Sequence, residues 1–289
     1  MNWQRREAPM FRFRFPEYKP ETEAVYGTIL TLGNGYIGIR GEIELEPSIY
    51  GMTVAGVYDY APYFYREIVN APRVIGLQMM FNGEPLNLST HKVPKYEREL
   101  DVEKGTLKTL VELQTNKGIT VRYESLRIVH GRRKNLILLK FRLRTDRDGL
   151  LTVINPIELD TVNPSYLPEI FIKHYAVEDM DFEDDAIYVG VRTVDERYRL
   201  GIASSLVVEE EHERNMLKNA RQMAEVVTLE VKANREYEFV KYVVVENGKD
   251  EGLKSTSLQE LRDAKKTGFE RLYNEHVEYW AEIWKKSGN

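Results

Sequence analysis

The sequence predicts a mainly β protein, a large antiparallel β-sandwich followed by a C-terminal helix. Three observations carry this: apolar and charged residues alternate along many runs, turn residues punctuate them at short spacing, and helical periodicity dominates only near the end. Residues 135–144 set the type. Ile137, Leu139, Phe141 and Leu143 fall on one face, with Lys140, Arg142 and Arg144 on the other, which is the period of a half-buried strand. Residues 120–129 and 150–154 continue the theme. Residues 226–232 and 236–245 are β-branched and aromatic runs separated by Ala-Asn-Arg, which predicts a hairpin. Asn82-Gly83, Asn116-Lys-Gly118 and Asn247-Gly248 are turn signals.

Two stretches depart from the pattern. Residues 209–225 are charged and rich in helix formers, predicting a short helix or a solvated crossover. From Ser255 onward, hydroxyl N-caps precede Leu258, Leu261, Phe269, Leu272, His276, Trp280 and Ile283 at helical steps, with a gap near Gly268. The chain therefore divides into a sandwich over 1–254 and a helical segment over 255–289. Trp280 and Trp284 share one helix face. Either they pack back on the sandwich, or they form an interface helix that leads toward a partner domain.

Composition narrows the class. The 289 residues carry 41 Lys+Arg against 46 Asp+Glu, a net charge of −5, and no Cys. Disulfides, thiolate zinc sites and thiol nucleophiles are excluded, and the acidic balance argues against nucleic acid as a partner. No apolar run approaches the roughly 18 residues that span a bilayer. Met1-Asn-Trp-Gln-Arg-Arg-Glu lacks the apolar stretch of a signal peptide. The expectation is a cytoplasmic protein with neither a membrane nor a nucleic-acid partner.

Gly33-Asn-Gly35-Tyr-Ile-Gly38 is a literal G-x-G-x-x-G, but Ile39-Arg-Gly-Glu-Ile-Glu-Leu-Glu46 after it alternates like a strand. A dinucleotide site needs a helix there, so the glycines are expected to serve a tight turn between strands. The five histidines, at 91, 130, 174, 212 and 276, have no metal-ligand spacing and read as surface or packing residues. No metal site is expected. The acidic run over 178–185 reads as a solvated hairpin tip. Val57-Tyr-Asp-Tyr-Ala-Pro-Tyr-Phe-Tyr65, with Asp59, Arg66, Glu67 and Asn70, suits stacking on sugar rings, or an aromatic interface. Acid–base sugar chemistry would need paired carboxylates, and 46 acidic residues offer no unique pair.

Leu32-Gly-Asn-Gly-Tyr-Ile-Gly-Ile-Arg-Gly-Glu42, Val54-Ala-Gly-Val-Tyr-Asp59, Glu67-Ile-Val-Asn70 and Tyr96-Glu-Arg-Glu-Leu-Asp101 follow in order. This ordered set resembles the N-terminal domain of glycoside hydrolase family 65, which includes maltose, trehalose, kojibiose and nigerose phosphorylases and some hydrolases. Weaker matches are Gly105-Thr-Leu107, Arg127, Asn163, Lys241 and the terminal Trp280-x-x-x-Trp284-x-x-Ser287. The resemblance implies a β-supersandwich of the galactose mutarotase-like kind, then linker helices into an (α/α)6 barrel. In the family the barrel holds the general acid and the phosphate loop, so no catalytic residue is expected here and the chain alone is expected to be inactive. By motif, Arg40, Glu42, Tyr58, Asp59, Glu67 and Asn70 are expected at the substrate rim or the junction with the barrel. The implied partners are that barrel, in cis or in trans, carbohydrate, and a second copy in a homodimer. No cofactor is implied, inorganic phosphate being the co-substrate of a full phosphorylase. A free-standing carbohydrate-binding sandwich is the alternative. The chain departs from the family pattern at Asn70-Ala-Pro-Arg-Val74 and at Val102-Glu-Lys104.

Overall fold

The computed structural model describes residues 11–46, 49–60, 65–164, 171–248 and 252–287. Two antiparallel sheets face each other. The larger has nine strands, in spatial order Arg12–Phe15, Lys92–Asp101, Thr106–Gln114, Thr120–Val129, Leu136–Thr145, Glu236–Gly248, Arg199–Val208, Ala186–Thr193 and Tyr175–Glu183. The smaller has five: Glu213–Lys218, Gln222–Val231, Gly149–Glu158, Gln78–Phe81 and Glu84–Pro85. The predicted face of residues 137–143 is buried, and Phe141 lies opposite Phe239 in register with stacked rings 4.9 Å apart.

Alternation along the strands predicts a continuous apolar interior, but a polar row crosses it. On the large sheet the inward positions run Leu100, Arg98, Tyr96 on one strand and Leu107, Thr109, Val111 on the next. Val243, Lys241, Phe239 and Ile202, Ser204, Leu206 repeat the order, as do Ile157, Asn155, Val153 and Met223, Glu225, Val227 on the small sheet. One apolar cluster holds the first member of each triplet and another holds the last. Lys241 in the row reaches only the Gly76 carbonyl, at 3.3 Å, whereas other charges there are paired, as buried charges are when ionised. Arg127 donates to Glu44 at 2.6 Å, and Arg73 donates to Glu42 at 2.7 Å and to Glu158 at 2.8 Å. Glu225 accepts from Asn155 at 2.6 Å, from the Leu206 N–H at 2.9 Å and from Arg214.

Several expectations need correction. Residues 40–46 are not a strand. The Gly41 and Glu42 carbonyls are taken by Arg98 and Arg127 side chains at 2.7 Å each, so side chains of the facing sheet replace a neighbouring backbone. Residues 226–232 and 236–245 are strands but not a hairpin, since the first pairs within the small sheet and the second within the large one. Residues 209–225 form no helix. They hold the edge strand Glu213–Lys218 and the start of Gln222–Val231. Asn247-Gly248 ends a strand instead of turning the chain. The acidic run over 178–185 is largely edge strand, and Lys254, Arg262 and Lys265 of the following helix pair with Asp181, Glu183 and Asp185.

Among the described residues three helices accompany the sheets: α1 (Pro20–Ile29), α2 (Leu253–Thr267) and α3 (Phe269–Ser287), with Gly268 between the last two at a positive φ of 81°. The C-terminal pair packs on the sandwich. Leu258, Leu261, Ala264, Phe269 and Leu272 form an apolar cluster with Leu136, Leu138, Tyr242 and Val244. Two buried histidines fasten α3. His130 Nε2 donates to the Leu272 carbonyl at 2.9 Å, and His276 Nε2 donates to the Lys104 carbonyl at 2.7 Å. Their Nδ1 atoms accept backbone N–H groups of Arg133 and Gly131. Trp280 lies against Gly105, where a Cβ would come within 2.5 Å of the indole nitrogen, and Trp284 stands 5.0 Å from the Phe11 ring. Both rings are half-buried, one against Gly105 and the other beside Phe11.

Candidate functional site

The motif residues separate into three places. At the first, the G-x-G-x-x-G segment makes the expected turn. Leu32–Gly33 pairs with Ile37–Ile39, Gly35 takes a positive φ of 84°, and no helix follows. Asn34 closes it by accepting the Tyr36 and Ile37 N–H groups while its amide donates to the His130 and Lys134 carbonyls. Nearby, Arg40 donates to Thr28 at 2.8 Å, to the Ala24 carbonyl and to the Ile49 carbonyl at 3.0 Å, tying α1 to a loop.

Glu42 lies at the second, the polar row. Burial raises its pKa, while Arg73 and Arg127 oppose that rise. For its neighbour Glu44 burial also raises, but Arg127 and Arg98 outweigh it and hold the carboxyl below its ordinary value. Arg73 is the side chain that joins Glu42 to Glu158.

Tyr58, Asp59, Glu67 and Asn70 meet at the third, the end of the sandwich. Strands Tyr58–Tyr60 and Arg66–Ile68 pair with Asp59 opposite Glu67, so alternation sends both carboxylates to one face and Tyr58, Tyr60, Arg66 and Ile68 to the other. The inward carboxylates grip His174. Its Nδ1 is 2.8 Å from Asp59 Oδ2 and its Nε2 is 2.6 Å from Glu67 Oε1. Asp59 Oδ1 also accepts the Asp195 N–H at 2.8 Å. His174 and Asp59 are buried, while the Glu67 side chain keeps 19% exposure. Carboxylates only accept hydrogen bonds, so both contacts are satisfied together when one extra proton is shared among the ring and the two acids.

Asn70 anchors the same end. Its N–H donates to Asn163 at 2.9 Å and its amide to the Val162 carbonyl at 3.0 Å, while its oxygen accepts the Met52 N–H at 3.0 Å. Asn163 returns a bond to the Ile68 carbonyl at 2.8 Å. The outward face combines Arg66 with apolar side chains: Tyr58 is 43%, Tyr60 49% and Ile68 36% exposed, and Tyr65, Phe171 and Val194 are exposed large hydrophobics of adjoining segments. Residues 61–64 of the aromatic segment lie outside the described residues.

Sequence reasoning placed Asp59 and Glu67 together but missed His174, which lies more than a hundred residues further along the chain. Its only local signal is that it stands just before the strand Tyr175–Glu183. Among the described residues no group of three or more His, Asp or Glu is arranged to hold a metal ion, and no helix is long and apolar enough to cross a membrane.

Residues 13–283 match the profile described as "Glycosyl hydrolase family 65, N-terminal domain". Among curated proteins, the nigerose phosphorylase of Lachnoclostridium phytofermentans is 26% identical over 278 residues, covering 89% of this chain and 37% of the relative. The kojibiose phosphorylase of Thermoanaerobacter brockii is 26% identical over 284 residues, covering 93% and 37%. The chain thus spans little more than a third of the length of these relatives. A solved structure of a candidate kojibiose phosphorylase from the human microbiome superposes with a TM-score of 0.82 at 17% identity, covering 94% of this chain and 38% of that one.

Proposed function

Because the chain belongs to the N-terminal domains of glycoside hydrolase family 65, we propose that it is the sandwich domain of an enzyme acting on α-glucosidic disaccharides. In this reading a helical-barrel domain does the chemistry, with inorganic phosphate as co-substrate if the enzyme is a phosphorylase. The sandwich shapes the rim of the active site and the junction between domains.

The observation that carries the placement is the aromatic end. Tyr58, Tyr60, Tyr65 and Ile68 are exposed there on a hairpin that is pinned from beneath by His174, Asn70 and Asn163. A braced apolar face of this kind suits a docked partner better than water. By contrast, the outer face of the large sheet is covered in part by α2 and α3, and beside them its charges are paired, Arg142 with Glu238 and Lys140 with Glu238 and Glu270. The same tyrosines would suit carbohydrate directly, which keeps the binding-module reading in view.

The test is to read the coding frame around the chain, co-express the chain with any helical-repeat segment found there, and ask whether the two co-purify. Co-purification that is lost in Tyr60→Asp/Ile68→Asn supports a domain junction at this end. Titration of the chain alone with maltose, trehalose, kojibiose and nigerose decides the other way. Saturable binding without a partner would replace the junction with a free-standing carbohydrate module.

A further inference from the structure

We infer that His174 is a positioning residue whose shared proton locks the Tyr58–Tyr60/Arg66–Ile68 hairpin onto the sandwich. The lock stands on the geometry of the clamp itself, whereas its consequence for docking rests on the reading proposed above.

The hairpin has only three residues on each strand and forms a sheet of its own. A two-stranded ribbon of that size is marginal in water without packing against something else. The clamp joins both of its strands to a third segment, through Asp59 on one, Glu67 on the other and the ring between them. Asp59 is further held by the Asp195 N–H, and the Val194 N–H donates to the His174 carbonyl at 3.2 Å. The ring and Asp59 are therefore fixed from the sandwich side. Glu67 is the member that retains exposure.

The charges around the ring define what a lost proton would do. Asp59 and Glu67 face its two nitrogens. Asp195 stands behind Asp59, with Arg197 at 3.4 Å and Arg66 at 3.9 Å from its Oδ2. Lys173, the preceding residue, lies over the Tyr175 ring at 5.2 Å. With its extra proton the ring donates from both nitrogens. Without it the ring donates from one, and its other nitrogen presents a lone pair to a carboxylate oxygen. Asp59 has a second donor and a buried place, so Glu67 is the partner that leaves toward solvent. The strand Arg66–Ile68 is then held by the Asn163 bond to the Ile68 carbonyl and by its ribbon pairing. The hairpin is locked when the proton is present and loosened when it is lost.

Glu67→Gln separates this lock from a simple structural contact. A carboxamide can donate to the lone pair of a neutral ring whose other nitrogen donates to Asp59, so the variant clamp needs no extra proton. The experiment uses the isolated chain, with amide exchange and 15N spectra of the histidine side chains recorded across the pH range in which the chain stays folded. In the wild type, both His174 nitrogens should read as protonated in the locked state. Protection factors of hairpin amides should then fall at least about tenfold as the ring loses its proton. Those of Leu136–Thr145 should stay unchanged. Glu67→Gln should hold its hairpin protection flat over the same range, and His174→Gln should lack it throughout. If the wild type and Glu67→Gln respond identically, or His174 carries a single proton while Glu67 stays bound, the lock is overturned. No partner or sugar is present, so failure here is distinct from failure of the docking proposal.

Discussion

Between the two sheets Arg127 and Glu44 meet at 2.6 Å with neither side chain exposed, whereas at the end of the sandwich Tyr58 and Tyr60 lie open above a buried histidine. The interior puts charge where apolar side chains are expected, and the hairpin puts apolar rings where charge is expected. Both depart from the usual partition, for different reasons. The polar row bridges the sheets and holds residues 40–46, which have no strand neighbour of their own. Its ion pairs are there to be satisfied internally. The hairpin, braced by His174, leaves Tyr58 and Tyr60 nearly half exposed. One region is closed upon itself, and the other presents rings to its surroundings.

The largest effect that breaks this contrast is expected from Arg127→Ala. Removing one partner of a buried pair leaves Glu44 without its hydrogen-bonded cation, with only Arg98 nearby to oppose its burial, and should cost about 3–5 kcal/mol of unfolding free energy. Replacing Arg127 and Glu44 together by Met should recover much of that loss in denaturant titrations. If the single and double variants are equally destabilised, the row acts through shape and not charge.

Next is the pH profile. Glu225 is pushed up to about 7, chiefly by burial, and Lys241 is pushed down to about 7, again chiefly by burial and then by Arg73. The Glu225 contribution is complete below its unfolded value near 4.5 and is lost as pH rises through about 7. That of Lys241 is complete above its unfolded value near 10.5 and is lost as pH falls through about 7. Both costs overlap near neutrality, so stability should dip there by ~3 kcal/mol relative to either side. Glu225→Gln should flatten the acid limb and Lys241→Met the alkaline one. A single maximum at neutral pH in all three proteins would contradict this.

Acid should act on α3 separately. His276 is pushed down to about 4, by burial first and then by His130. Its neutral form is favoured in the fold, so the contribution is present above about 6.5 and lost as pH falls through about 4. Tryptophan fluorescence from Trp280 and Trp284 should report release of the helix in that window. His276→Gln, which keeps a donor and an acceptor, should narrow the change. Trp280→Ala, removing a half-buried ring, is expected to cost about 1–3 kcal/mol at pH 7.

The smallest stability effect belongs to the open region. Tyr60→Ser should change unfolding free energy by less than about 0.5 kcal/mol while weakening any association at the hairpin. A loss of several kcal/mol would mean that the ring belongs to the core.

The strands were legible because alternation survives wherever one face is buried, as along residues 137–143. Partners were not, because period two says which face points inward and nothing about which sheet receives it. That is why Glu236–Gly248 joins Leu136–Thr145 instead of its predecessor. The edge strand Glu213–Lys218 is charged on both faces and carries no period. Asp59 and Glu67 could be placed together from their motifs, whereas His174 reaches them only through the tertiary fold. Arg98, Arg127 and Lys241 sit at inward positions of otherwise apolar strands. The sequence marks those positions as unusual without saying which acids meet them.

The central pairing of the large sheet has a consequence for synthesis. Leu136 lies opposite Val244 in the register, 244 − 136 = 108 residues later. At roughly 5–20 residues per second, the ribosome takes roughly 5–20 s to deliver that partner. For this interval the inner edge of Leu136–Thr145 has open hydrogen-bonding groups beside one of the most apolar surfaces in the chain. The nascent protein is therefore most prone to mispairing after residues 136–145 have emerged and before residues 236–244 arrive, and a chaperone that covers this edge in that interval should raise the yield of folded protein.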